Sequence, residues 1–133
     1  MSLKVILKPK ERLFINGAVI VNDEDRGIHL VVVNNIPVLR EKDILTEDGA
    51  DTPCKRIYLI VQLMYMDKES LSDYQKKFWK LAAEVVKAAP STSGIIQKIT
   101  EQILIGEYYK GLKQAHKLIQ YEKELINASK KSV

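Results

Sequence analysis

The chain has 133 residues, with 21 lysines and arginines against 17 aspartates and glutamates and a net charge of +4. A hydrophobic content of 46% beside 29% charged residues is that of a folded globular chain rather than a disordered one, and the length allows one domain or two small units sharing a core. The mild basic excess is compatible with a polyanionic partner without requiring one, and the single cysteine, Cys54, excludes an internal disulfide and suits a reducing compartment.

Up to about Leu45 the apolar residues alternate or form short runs between turn residues, which predicts strands. Leu3, Val5 and Leu7 alternate with Lys4, Ile6 and Lys8 until Pro9 ends the run. Arg12–Ile15 is followed by Asn16-Gly17, a two-residue hairpin signal because both positions tolerate positive φ. Ala18–Val21 leads into the polar loop Asn22–Gly27, Ile28–Val33 is β-branched and bounded by Asn34-Asn35, and Val38–Ile44 follows Pro37 as the fifth strand.

Beyond Asp51 the period becomes helical. Thr52 is placed as an N-cap with Pro53 at the first helical position, where a missing N–H costs little. The helix that follows, with Ile57, Tyr58, Ile60, Val61, Leu63, Met64 and Tyr65, is apolar nearly all round and is expected at the centre of the fold. Ser72 with Gln75 forms a capping-box pattern for a second helix, whose Phe78, Leu81, Ala82 and Val85 share a face until Pro90. A third helix runs from about Gly94 to Gly106 as its C-cap, and a fourth from Glu107 to Asn127, with a frayed tail after Ala128. No 34-residue period recurs, so a tetratricopeptide solenoid is not expected. The expected fold class is therefore α+β: a small five-stranded antiparallel β module (1–46) followed by a four-helix C-terminal unit (47–133).

Signatures of an enzyme are absent: there is no phosphate-cradling glycine loop, no GxSxG elbow and no HExxH. No cofactor pattern is visible. Neither His29 nor His116 has a second ligand at metal spacing, and Asp23-Glu24-Asp25 lacks the closing glutamate of a calcium loop. Cys54 lies beside Lys55 and Arg56, but the apolar helix face around it favours a buried, inert thiol. The N-terminal stretch is broken by Lys4, Lys8, Pro9 and Lys10, so it lacks the apolar core of a signal peptide. The longest apolar stretch, Ile57–Met66, is interrupted by Gln62 and is too short to span a bilayer. A cytoplasmic protein without a membrane partner is expected.

The basic residues of the first half are the candidate site. Lys4, Lys8, Lys10 and Arg12 cluster near the first two strands, and Arg40 and Lys42 fall on the fifth. Residues two apart on a regular strand share a face, so Lys8 with Lys10, and Arg40 with Lys42, would point the same way. The alternative is that these are edge-strand charges that discourage aggregation. Apart from Phe14 the aromatic residues lie in the helical half, which disfavours a sheet platform that stacks bases on aromatics.

Three runs in order, PVLREKDIL, ADTPCKRIYLIVQLMYMD and GEYYKGLKQAHKLIQYEKEL, with LKPKERLFINGAVI before them, resemble the FlbT family, bacterial regulators of flagellin synthesis, over essentially the whole chain. The resemblance implies binding to the untranslated leader of flagellin messenger RNA, with repression of translation or promotion of decay. The β half, with KERLFINGAVIV early and VVVNNIPVLREKDI late, also resembles the carbon storage regulator (CsrA) family of messenger-RNA binders. Val38, Arg40 and Glu41 fall on that family's V-x-R-E pattern, and the arginine is the residue such proteins use against RNA. Leu39 stands where that family has a histidine, lysines stand near its first-strand arginines, and the loop before Ile28 is differently cut. This second resemblance implies RNA contacts by Lys4, Lys8, Lys10, Arg12, Arg40 and Lys42, and a homodimer built by strand exchange. A rival expectation is a helical adaptor that grips another flagellar regulatory protein and affects messenger RNA only indirectly.

Overall fold

The computed structural model describes residues 2–131. Five strands, β1 (Leu3–Leu7), β2 (Arg12–Ile15), β3 (Ala18–Val21), β4 (Ile28–Val32) and β5 (Val38–Arg40), precede four helices, α1 (Pro53–Met66), α2 (Leu71–Ala88), α3 (Ser93–Leu104) and α4 (Tyr108–Lys131). This is an α+β fold. Two compact units, Met1–Ile44 and Leu45–Val133, divide the chain.

In the β unit the strands form two sheets, β1–β4 and β3–β2–β5, with every pairing antiparallel. The hairpin between β2 and β3 turns on Asn16 (φ 46°) and Gly17 (φ 95°), the two consecutive positive φ angles that a tight primed turn requires. Side-chain alternation sends Val5 and Leu7 of β1 inward and leaves Lys4 and Ile6 exposed. The inward residues meet Leu13 and Val38 in a small core, flanked by the half-buried Ile15, Ile20, Ile28, Leu30, Val32 and Ile36.

Two strand expectations are corrected. Lys8 and Lys10 are not on a strand: β1 ends at Leu7, and Lys8–Glu11 forms a turn in which the Glu11 amide donates to the Lys8 carbonyl (3.1 Å) and Lys10 takes φ 62°. The fifth strand stops at Arg40, and Glu41–Asp43, including Lys42, is a 3-10 turn. The reason is register. β5 pairs with β2 from Ile15↔Val38 to Leu13↔Arg40, and only Arg12 of β2 lies beyond that pairing, opposite Glu41, so from Lys42 onward there is no partner strand.

One polar side chain organises this unit. Asn22 is 1% exposed, and its Nδ2 donates to the Leu7 carbonyl (3.0 Å) and the Arg26 carbonyl (2.8 Å). Its Oδ1 accepts from the Glu24 amide (2.9 Å). Its backbone N–H donates to Glu11 O (3.1 Å), and its carbonyl accepts from the Lys10 amide (2.8 Å).

In the helical unit α1 packs against both α2 and α4, and α3 packs on α4. Thr52 caps α1 as expected, its Oγ1 accepting from the Lys55 amide (3.2 Å), with Pro53 at the first turn. Ile57, Val61 and Met64 are fully buried, and the buried Gln62 amide clasps the Leu45 backbone, Nε2 to its carbonyl (2.9 Å) and Oε1 from its N–H (2.8 Å). The Ser72/Gln75 capping box is not used. α2 begins at Leu71 after Ser70, whose side chain makes no capping bond, so Ser72 already lies inside the first turn; upstream, the carboxylate of Asp67 caps the 3-10 turn Lys68–Ser70. Its two oxygens accept from the Glu69 amide (3.2 Å) and the Tyr74 hydroxyl (2.8 Å). α3 closes on Gly106 (φ 78°): the Gly106 amide reaches Ile103 O and the Glu107 amide reaches Gln102 O, the paired bonds of a Schellman cap. α4 continues through the segment expected to fray and reaches Lys131.

Replacing Asn22 by alanine strands two carbonyls and one amide in a small core. Asn22→Ala should lower stability by about 1–3 kcal/mol in urea melts, the penalty for buried groups left without partners. A loss below a few tenths would show that water replaces the amide.

Candidate nucleic-acid interface

The structure distributes the six candidate residues unevenly. Lys10, Arg12 and Lys42 line one open concavity of ≈ 360 Å³ together with Glu11 and Glu41. The turn Lys8–Glu11 supplies one wall, the start of β2 another, and the 3-10 turn after β5 the third. Lys8 opens the first of these turns, whereas Lys4 stands on the outward face of the β1–β4 sheet, opposite Val31.

Carboxylates balance several of these cations. Lys10 Nζ lies 2.9 Å from Asp23 Oδ1 and 3.2 Å from the Asp23 carbonyl, and Arg12 Nε lies 3.7 Å from Glu41 Oε2. Both pairs are largely solvent-exposed, so each is worth at most about 1 kcal/mol and yields readily to another anion. Arg40 differs. Its Nη1 donates to the Ile6 carbonyl (3.0 Å) and to Glu11 Oε1 (3.1 Å), and the arginine and glutamate side chains are only 31% and 18% exposed. Glu11 Oε1 also accepts from the Lys8 amide (2.9 Å). That backbone bond, and then the Arg40 guanidinium, hold the Glu11 carboxyl below its usual range. Arg40 thus braces β5 against β1 and against the Lys8–Glu11 turn.

The helical unit contains a second, more apolar cavity of ≈ 310 Å³ at the amino end of α1, lined by Cys54, Leu81, Val85 and Leu125 among others. Glu122 of α4 closes it: its Oε1 accepts from the Thr52 hydroxyl (2.5 Å) and its Oε2 from the Cys54 amide (3.2 Å). Burial, and then the Glu122 carboxylate, push the Cys54 thiol up to about 12, so at neutral pH it is not a nucleophile. This agrees with the sequence expectation. Among the described residues no cluster of His, Cys, Asp or Glu could hold a metal ion, and no helix is long and apolar enough to cross a membrane.

Sequence reasoning missed the carboxylates Glu11, Asp23 and Glu41 that pair with the candidate cations. It also missed the outward face of α2, where Lys76, Lys80 and Lys87 are exposed and Trp79 is 41% exposed. Helical arithmetic could have found that face, since it lies opposite Phe78, Ala82 and Val85.

Fold and site together define a small α+β protein whose β unit gathers three cations round one concavity. Residues 3–126 match the family model described as "Flagellar protein FlbT", and the chain belongs to that family. It is 45% identical over 125 residues to a probable flagellum biosynthesis repressor protein of Bradyrhizobium diazoefficiens, covering 94% of this chain and 85% of that one. It is 42% identical to a probable flagellum biosynthesis repressor protein FlbT of Rhodopseudomonas palustris (96% and 99% covered). It is 38% identical to the flagellum biosynthesis repressor protein FlbT of Caulobacter vibrioides (95% and 90% covered). No solved structure matches the chain.

A depressed carboxyl gives a signed pH dependence. The unfolded chain takes up the Glu11 proton near the ordinary value of 4.5 and the folded chain only at lower pH. The stabilisation is therefore whole above that value and is lost as pH falls through the folded one. Acid titration monitored by urea melts should show this loss, and Glu11→Gln should flatten that part of the profile. An unchanged profile in Glu11→Gln would mean that other carboxylates set the acid limit.

Proposed function

We propose that the chain represses flagellin synthesis after transcription by binding the untranslated leader of flagellin messenger RNA, and so blocks translation or promotes decay. Membership of the FlbT family and the printed names of its relatives support the repressor role. The observation on which the RNA reading rests is the convergence of Lys10, Arg12 and Lys42 round one concavity. The exposed ion pairs of Lys10 and Arg12 exchange carboxylate for phosphate at little cost. Lys4 and Lys8 extend the contact, and Arg40 acts both as brace and, through its exposed part, as a contact. Phe14 is half-buried and is the only aromatic residue of this unit, so recognition depends on phosphates and on backbone groups reading unpaired bases rather than on stacking there.

Purified protein should bind leader RNA with an affinity that falls as salt rises. Three to five phosphate contacts in the β unit contribute about −2 to −3.5 to the log–log slope. Lys42→Ala should flatten that slope by about 0.7 with no change in melting temperature. Arg40→Ala should lower the melting temperature, and if it is also a contact it should weaken RNA binding at temperatures where the variant is still folded. Binding that stays normal in the folded variant would withdraw Arg40 from the site. No binding at low salt would favour the adaptor reading, for which the exposed Leu104, Ile105 and Tyr109 at the α3–α4 turn offer a docking patch.

The same protein is proposed to form a homodimer through its β units. Each strand of the β1–β4 sheet has one edge without a strand neighbour among the described residues, and Ile6 and Val31 on its outer face are both 56% exposed. Sedimentation equilibrium should give twice the chain mass, and Val31→Lys should shift it to the monomer. A monomer at high protein concentration would remove this proposal.

A further inference from the structure

The net charge is not concentrated where the candidate interface lies. Residues 1–44 carry seven basic against six acidic side chains, whereas residues 45–133 carry fourteen against eleven. Within the helical unit the excess is organised on α2. Phe78, Ala82 and Val85 bury one face, and the opposite face presents Lys76, Lys80 and Lys87, spaced i, i+4 and i+11. At 3.6 residues per turn these three fall in one narrow stripe along the helix. Among the described residues none of the three is in an ion pair.

The two flanks of this stripe differ. On one side the helix places Asp73 and Glu84. On the other it places Ser72, Trp79 and Ala83, with no carboxylate. The Trp79 indole meets the Phe78 ring edge-on, with centroids 5.1 Å apart, and remains 41% exposed. The other exposed aromatic residue with basic neighbours, Tyr109, is already occupied: Lys113 Nζ stands 5.0 Å from its ring centroid, and the Tyr65 ring is 5.5 Å away. An open indole beside a row of lysines that are in no ion pair among the described residues is what a single-stranded nucleic acid uses, because every base has a stackable face and every linkage a charge.

We infer that the outward face of α2 is a second single-stranded RNA contact, in which Lys76, Lys80 and Lys87 meet successive phosphates and the Trp79 indole stacks on a base. This rests on the RNA-binding reading above and adds to it a surface in the other unit of the chain. An acidic protein partner would answer to the same charge but would leave the indole without a planar group to stack on, and the test separates the two.

Trp79 is the only tryptophan in the chain, so its fluorescence reports this face alone. Oligouridylate and flagellin-leader RNA should quench it on binding, and polyglutamate should not. Trp79→Ala should weaken RNA binding between about fivefold and a hundredfold, while Trp79→Phe keeps a stackable ring and most of the affinity. The triple variant Lys76→Gln, Lys80→Gln, Lys87→Gln should reduce the salt slope by about 2 with an unchanged melting temperature, since all three side chains are exposed. RNA binding with unquenched fluorescence and an unaltered slope in the triple variant would overturn the α2 contact and leave the β-unit reading standing. Quenching by polyglutamate as strong as that by RNA would overturn it in favour of an acidic protein surface. Absence of RNA binding by the unaltered protein would remove both.

Discussion

The β unit depends on the way one buried amide is satisfied. Asn22 has no access to water, so both of its side-chain donors and its acceptor must find partners inside, and they do so at the end of β1 and within the loop that follows Asn22 itself. Its backbone then fixes the Lys8–Glu11 turn from the far side, holding Lys10 in a left-handed conformation that a lysine does not choose by itself. From that turn the constraint passes outward. Glu11 is placed to accept from Arg40, and Arg40 from there reaches the Ile6 carbonyl. The concavity walled by Lys10, Arg12 and Lys42 is the last link of this chain of contacts, and its shape follows from the first.

Elements written in adjacent residues were legible in the sequence. Asn16-Gly17 announces its turn because few other residues accept two positive φ angles, and Thr52-Pro53 announces a helix start because each residue solves a local backbone problem. Gly106 belongs to the same group. What was not legible depended on registers and partners set elsewhere. The end of β5 is decided by where β2 begins, and the division of five strands into two sheets is decided by pairings that composition does not record. The Ser72 pattern goes unused because a 3-10 turn capped by Asp67 leads straight into α2, which begins one residue before Ser72. The candidate cations were identified by type, but their carboxylates lie across space, 13 residues from Lys10 and 29 from Arg40. Which cations are occupied and which are open therefore could not be read along the chain.

Occupancy separates the cations by kind. Lys10 and Arg12 sit in pairs open to water, where screening leaves little binding energy to forfeit. Arg40 is drawn into the unit, and its partner Glu11 is anchored by a backbone amide, so removing either side leaves polar atoms without partners. Sequence patterns that weigh every arginine and lysine of a basic cluster alike merge two roles that geometry separates: an adjustable surface charge and a strut.

The clasp of Glu122 on the amino end of α1 spans 70 residues of sequence, and it sets an order of events during synthesis. Residues 1–44 include every strand and the whole of the Asn22 network, so the β unit has all its parts before the first helix is translated. α1 can be capped by Thr52 at once, but the Thr52 hydroxyl and the Cys54 amide wait for their carboxylate until Glu122 has left the ribosome. A chain stalled within α4 would present a finished strand unit joined to a helical unit with one end undone. In a growing chain the strand unit thus has its parts first and the helical unit seals last.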